Sequence, residues 1–204
     1  NTPAGADVVI EGLVIDAETS GCCSIRFVGQ GNLTLRRIRS GNMIGANSHG
    51  LQFGPNGPAT LQVSDSVFYK NGGSGILIAP SAGGTNAVIT NTIVTRNVQA
   101  GIAVQPTGSG KANVTLDDVK ATLNQYGLVA SDNSLISARN GSYSQNTGYG
   151  LLAYANSAPT AVELTGATVS MNTSYGIAVN GAAGVSATLS RTRIFGNYVG
   201  LSGS

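Results

Sequence analysis

Asp117 and Asp118 are the one adjacent acidic pair in a chain with only nine acidic residues. Two carboxylates flanking one bond can do glycosidic acid–base work, and several converging oxygens can hold a calcium ion. His49 is the one histidine, the side chain whose ordinary pKa suits proton transfer near neutrality. These three are the candidates for catalysis, and none of them is expected to carry it. The other acids are scattered at differing positions. Asp65 and Asp117 lie ten residues before Gly75 and Gly127, with Asn91 at the same place between them. That set reads as outward or turn residues, and His49 as a surface or turn residue. No His/Cys spacing of the zinc type occurs, so neither metal nor cofactor is expected.

The binding candidates are of two kinds. Arg26, Arg36, Arg37 and Arg39 fall within one short stretch, and guanidinium forks suit carboxylates, sulfates and phosphates. Tyr126, Tyr149 and Tyr175 each stand immediately before a glycine, and Tyr198 stands two before its own. Such a column of rings could stack on the sugars of a linear polysaccharide or simply pack at a turn. Cys22 and Cys23 are adjacent and read as two small buried thiols rather than as a bridge.

These residues sit in a chain of 204 with 29 glycines, no tryptophan and only 10% charged residues. The 41% hydrophobic content rules against intrinsic disorder. A net charge of +2 is too small for a nucleic-acid field. No apolar run approaches the roughly 18 residues of a membrane span. The chain begins at Asn1 and reads as a mature form or a fragment of a longer one.

What positions the candidates is a repeat. Gly50, Gly75, Gly101, Gly127, Gly150, Gly176 and Gly200 each open a short apolar run, at spacings of 25, 26, 26, 23, 26 and 24. Three or four residues before each stands an asparagine: Asn47, Asn71, Asn97, Asn124, Asn146, Asn172 and Asn197. Two further short apolar strands lie upstream of each asparagine, as in Val114-Thr115-Leu116. The period-two alternation and the absence of a helical period make the chain all-β. Each unit of about 25 residues reads as one coil of three short strands, pairing in parallel with the next coil about 4.8 Å away. About eight coils give a single domain over 1–204, a rod roughly 38 Å long. Each asparagine is expected in a turn, bonded to its counterpart in the next coil. The glycines are expected where a special dihedral or a close coil contact demands them. Both ends lack an evident cap, so a longer chain or a partner is expected to cover them.

This pattern resembles the right-handed parallel β-helix proteins of the pectate-lyase-like superfamily, and within it exported bacterial β-helix proteins with no assigned activity. The resemblance runs from about Ala6 to Ser204. It implies a secreted or cell-surface location. It does not imply one activity, because the superfamily holds lyases, hydrolases, tailspikes, adhesins and non-catalytic surface proteins. The polygalacturonase-type pattern is incomplete here. Asn91-Thr92 is followed by Ile93 rather than Asp, His49 lies upstream of Asp117-Asp118, and no Arg-x-Lys occurs.

One strand departs from the superfamily's polysaccharide-cleaving members, in which its outer face is polar. The middle residue of the strand after each glycine should point outward, yet it is Leu77, Ala103, Val129, Leu152 and Ala178. Such a stripe is expected to be an interface with a second copy, a further chain segment or a partner. The sequence thus reads as a non-catalytic exported β-helix, a structural or binding module with polysaccharide as its candidate ligand. The alternative is a polysaccharide lyase or glycoside hydrolase with an atypical site.

Overall fold

The computed structural model describes residues 5–182 and 184–203. The tips of the expected 1–204 domain, residues 1–4 and 204, lie outside the described residues. The fold is the expected parallel β-helix of eight coils. Coil 1 holds β1 (Asp7–Glu11), β2 (Val14–Asp16) and β3 (Cys23–Phe27); coil 2 holds β4 (Gly31–Arg36), β5 (Arg39–Gly41) and β6 (His49–Phe53). Coil 3 holds β7 (Ala59–Ser64), β8 (Val67–Tyr69) and β9 (Ile76–Ile78). In coils 4 and 5 the first two strands run together, as β10 (Gly84–Thr95) with β11 (Ala100–Val104), and β12 (Lys111–Thr122) with β13 (Tyr126–Ala130). Coil 6 has β14 (Ser134–Arg139) and β15 (Leu151–Ala155), its middle strand reduced to bridges at Ser142. Coil 7 has β16 (Thr160–Thr165), β17 (Thr168–Ser170) and β18 (Tyr175–Gly181); coil 8 has β19 (Val185–Ser190), β20 (Arg193–Phe195) and β21 (Val199–Gly203). All strand pairs are parallel, coil on coil, and make three faces.

Inside, aliphatic side chains stack in register. On the first face Leu33, Leu61, Ala87, Val114, Ile136 and Val162 form one buried column. On the third, Leu51, Ile76, Ile102, Leu128, Leu151 and Ile177 form another. Burying each such side chain contributes about 1.5–3 kcal/mol. The middle face mixes large and small, with Phe68, Val94, Ala121, Tyr143 and Val169 all fully buried.

Two corners of a coil are each turned by a single residue with positive φ, the first in all eight coils and the second in coils 2 to 8. The first corner uses Arg37, Asp65, Asn91, Asp118, Asn140 and Arg191, with Gly12 and Gly166 in coils 1 and 7. The second uses Asn42, Lys70, Arg96, Leu123, Gln145, Met171 and Gly196. A left-handed residue between extended neighbours bends the chain sharply, at about 1–2 kcal/mol for an L-residue. The conformation holds because the coil-to-coil bonds continue through it. Asp65 N–H donates to Thr90 O (3.3 Å), Asn140 N–H to Thr165 O (3.0 Å) and Gln145 N–H to Ser170 O (2.9 Å).

Immediately after the second corner stands the asparagine column, and it is a continuous ladder from Asn71 to Asn197. The Oδ1 of each member accepts both the backbone N–H and the Nδ2–H of the member one coil earlier. For Asn71 on Asn97 these are 3.1 and 2.8 Å, and for Asn146 on Asn172 3.0 and 2.9 Å. The other Nδ2 proton reaches a carbonyl of the preceding coil, as from Asn124 to Val94 O (3.0 Å) and from Asn172 to Tyr143 O (3.0 Å). Asn47 does not belong. It is exposed, has φ 59° and accepts from Gln99 Nε2. Register places buried Met43 at that rung, so Asn71 Oδ1 is left without a partner. The glycine column explains itself at Gly127. A Cβ there would lie 2.9 Å from Asn146 Nδ2 and 2.5 Å from Gly150 O. Close approach, not a special dihedral, requires the glycine.

The cysteines correct the expectation of two buried thiols. Cys22 and Cys23 are joined as a vicinal disulfide, with Cys22 exposed and Cys23 half-buried. Cys23 opens β3, the third-face strand of coil 1. Among the described residues no helix is long and apolar enough to cross a membrane.

Two substitutions test this account of the interior. Asn124→Ala removes the acceptor for two donors of Asn97 and the donor to Val94 O, so unfolding free energy should fall by roughly 3 kcal/mol in urea titration. Tyr143 has the opposite sign: its hydroxyl is buried with no partner, and burial pushes its pKa well above the ordinary phenol value. Tyr143→Phe should stabilise by about 1 kcal/mol, read as a rise in the thermal midpoint.

Candidate functional site

The catalytic candidates do not meet. Asp117 ends the first-face part of β12 and accepts Asn140 Nδ2 at 3.0 Å. Asp118 is the following corner residue, exposed, with its carboxylate 3.8 Å from Lys120 Nζ. Register corrects the acidic stripe. Thr90 pairs with Asp117 and Thr92 with Val119, so Asn91 aligns with Asp118. The corner column is therefore Asp65, Asn91, Asp118 and Asn140; Asp117 stands beside it. His49 opens β6 on the third face, three coils away.

Asp117 shares its structural use with three other aspartates. Asp7 accepts Asn32 Nδ2 (2.6 Å), Asp65 accepts Asn91 Nδ2 (2.7 Å), and Asp16 accepts Asn42, each from the next coil. Asp132 goes further: one carboxylate oxygen accepts the backbone N–H groups of Asn156, Ser157 and Ala158 at 2.8, 3.0 and 3.1 Å. The bond from Ser157 is the largest cause holding that carboxyl below its ordinary pKa. Among the described residues no three His, Cys, Asp or Glu side chains come together.

His49 corrects a second expectation, because it is buried rather than on the surface. Its Nδ1 accepts the Ser74 N–H at 2.9 Å, and its ring fills the space that Gly73 leaves open. Burial lowers its pKa below the ordinary imidazole value. The nitrogen facing Ser74 is unprotonated.

The arginines separate onto different faces. Arg26 points outward on the third face, paired with Gln52. Arg37 forms an exposed 2.6 Å ion pair with Glu11, and Arg39 lies 4.6 Å over the Tyr69 ring. Arg36 pairs in register with Glu11. Nearness along a coil is not nearness in space once a corner intervenes.

The tyrosines do form a column. Tyr126 and Tyr149 have centroids 5.4 Å apart, Tyr149 and Tyr175 5.0 Å, both edge to face. Tyr198 is not a member. It is 85% exposed, and Val199 holds the register opposite Tyr175. The apolar stripe is also in register, Leu77 beside Ala103, then Val129, Leu152 and Ala178. It is not the open patch expected. Ala103, Val129 and Ala178 are buried by their own chain, while Leu77 and Leu152 are half-buried.

These columns together make a valley along the third face. The stripe is its floor, the tyrosine column one wall, and Gln105, Tyr154 and Asn180 the other. At coils 4 and 5 it deepens into a depression of about 280 Å³. Ala103, Val129 and Leu152 of the floor line it together with Ala100, Ser74, Gln99, Gln105, Gln125, Tyr126 and Tyr154. Gln105 Nε2 donates to the Tyr154 hydroxyl at 3.1 Å, and Gln99 Nε2 to Asn47 Oδ1. Tyr154 and the glutamines were missed because only one outward position per strand was read; the next outward position, two residues on, carries Gln105 and Tyr154. A broader hollow of about 480 Å³ on the first face, reaching from Lys111 to Ser186, has no aromatic lining.

No protein-family model matches the chain, and no curated protein matches its sequence. Among solved structures the chain is similar to the A-module of the mannuronan C-5 epimerase AlgE4 of Azotobacter vinelandii. Identity is 15%, coverage 96% of this chain and 79% of that one, and the TM-score 0.44. It is also similar to the surface protein and adhesin PfbA of Streptococcus pneumoniae, at 12% identity, covering 85% and 68% with a TM-score of 0.30. These are likenesses of fold.

The buried histidine makes a pH-dependent prediction. Its folded pKa lies below the unfolded value of about 6.5, so its share of stability is complete above that pH. That share is lost as pH falls from about 6.5 through the folded pKa. Urea titrations across this window should show the decline, and His49→Gln should remove that slope while lowering stability at neutral pH.

Proposed function

We propose that this β-helix is a non-catalytic, exported binding module that seats a polysaccharide chain along the third-face valley at a cell surface. The observation that carries this reading is the coincidence of an apolar floor running over five coils with a tyrosine wall along coils 5 to 7 and an opposite wall of Gln105, Tyr154 and Asn180. A tyrosine offers a sugar ring an apolar face and a hydroxyl at once, and a glutamine offers both donor and acceptor. A groove along the axis repeats its contacts every ~4.8 Å, which suits a linear polymer better than a compact ligand. The bonded Cys22–Cys23 pair fits an oxidising compartment. The non-catalytic part of the reading is supported by the use of aspartates as acceptors between coils and by the separation of His49 from Asp117 and Asp118.

Affinity electrophoresis against a panel of polysaccharides, with product analysis of the same mixtures, tests the proposal. Retardation by at least one polymer without cleavage is the expected result. Tyr126→Ala should weaken it about tenfold or more, as removal of a central aromatic contact does. Tyr198→Ala, outside the valley, should leave it unchanged. Cleavage or epimerisation of the polymer would overturn the non-catalytic reading and send mutagenesis to Asp117 and Asp118.

A further inference from the structure

We infer that the valley is built for an uncharged glycan chain and discriminates against acidic ones; this rests on the binding reading above and narrows its ligand class. The chain has 20 lysine, arginine, aspartate and glutamate residues. None of them lies in β9, β11, β13, β15 or β18, the five strands that make the valley. The depression is lined throughout by uncharged side chains. The outward column that forms the floor does contain a cation, Arg26, but it is three coil steps from Ala103. That is roughly 14 Å along the axis at ~4.8 Å per step, beyond the Debye length of about 8 Å at physiological salt.

The polar groups that are present fit hydroxyls. The Gln105 and Gln99 amides are each held at their nitrogen, by Tyr154 and Asn47. Their carbonyl oxygens are acceptors, and an acceptor needs a donor. A sugar hydroxyl both donates and accepts, whereas an ionised carboxylate or sulfate only accepts. An ionised carboxylate or sulfate would take the wall's hydroxyl and remaining amide protons but leave those carbonyl oxygens without a donor. It would also lose hydration over the apolar floor with no cation to replace it, a strongly unfavourable exchange. A neutral polymer meets neither penalty. At about 280 Å³ the depression is at the small end of ligand sites. It suits a sugar unit or two held beside Tyr126, with the chain continuing along Tyr149 and Tyr175.

The test compares dissociation constants, at low and high salt, for a neutral glucan, mannan and xylan against polygalacturonate and alginate. The expected result is binding of a neutral polymer with little salt dependence, and at least tenfold weaker binding of the acidic ones. Gln105→Lys, which places a cation in the wall, should raise the affinity for the acidic polymers about tenfold or more with the thermal midpoint unchanged. Gln105→Lys without effect on acidic binding would overturn the assignment. So would preferential, salt-sensitive binding of an acidic polymer, abolished by Arg26→Ala or Arg96→Ala; the binding reading itself would then stand. No binding to any polymer would overturn both. Light scattering closes the remaining route: a stable dimer that Leu152→Asp dissociates would show the valley to be filled by a second copy.

Discussion

Coils 3 to 8 of this protein are held one to the next by an asparagine that faces in two directions. Its carbonyl oxygen takes two donors from the coil before, and its amide nitrogen donates forward to the next rung and back to a main-chain carbonyl. No other side chain of that size carries an acceptor and two donors in one plane. The site is buried, so each unmade bond would cost about 1–3 kcal/mol. The glycine column follows from the ladder, since a Cβ at Gly75, Gly101, Gly127, Gly150 or Gly176 would crowd the amide of the next coil's asparagine. The ladder's end shows the same logic. Where Met43 replaces the asparagine, the ladder stops and Asn71 keeps an orphan oxygen.

Fixing one corner of the coil fixes the register of all three faces. A parallel stack has no freedom to slip by one residue without turning its inward side chains out. The columns on the outer face of the third sheet are therefore as regular as those of the core. The tyrosine wall, the apolar floor and the opposite wall of Gln105 and Tyr154 are consequences of the same alignment. Because small residues fall at Ser74, Ala100 and Ala103 while larger ones fall in coils 5 and 6, the regular surface acquires one depression.

Most of the aspartates of this rod serve bonding between coils. In Asp7, Asp16, Asp65 and Asp117 the carboxylate accepts an amide from the coil above, extending coil-to-coil bonding to the outside of the rod. Asp132 does the same for three backbone donors of a loop. His49, the one group suited to proton transfer near neutrality, is buried with one ring nitrogen engaged. Polar chemistry in this molecule is directed along the axis, from coil to coil, and the third-face valley is where uncharged polar groups face outward.

The repeat of glycine, asparagine and alternating strands was enough to establish an all-β parallel coil of about 25 residues, its core columns and six of the seven proposed ladder positions. Local spacing encodes these directly, because every coil repeats the same environment. What it did not decide was register to the residue. Coil lengths vary by a residue or two, and the variation is absorbed at the corners, so counting back from a glycine misplaced Asp117 for Asp118 and Asn47 for Met43, while Tyr198, two before its glycine, lies one place off the column that Val199 occupies. Burial on the outside was likewise not legible. The apolar stripe reads as exposed from alternation alone, but neighbouring columns rise around Ala103 and Val129 and make them a floor. Whether an outward side chain is exposed depends on the size of residues a whole coil away, some 25 positions distant in the chain, and only the stacked structure brings those together.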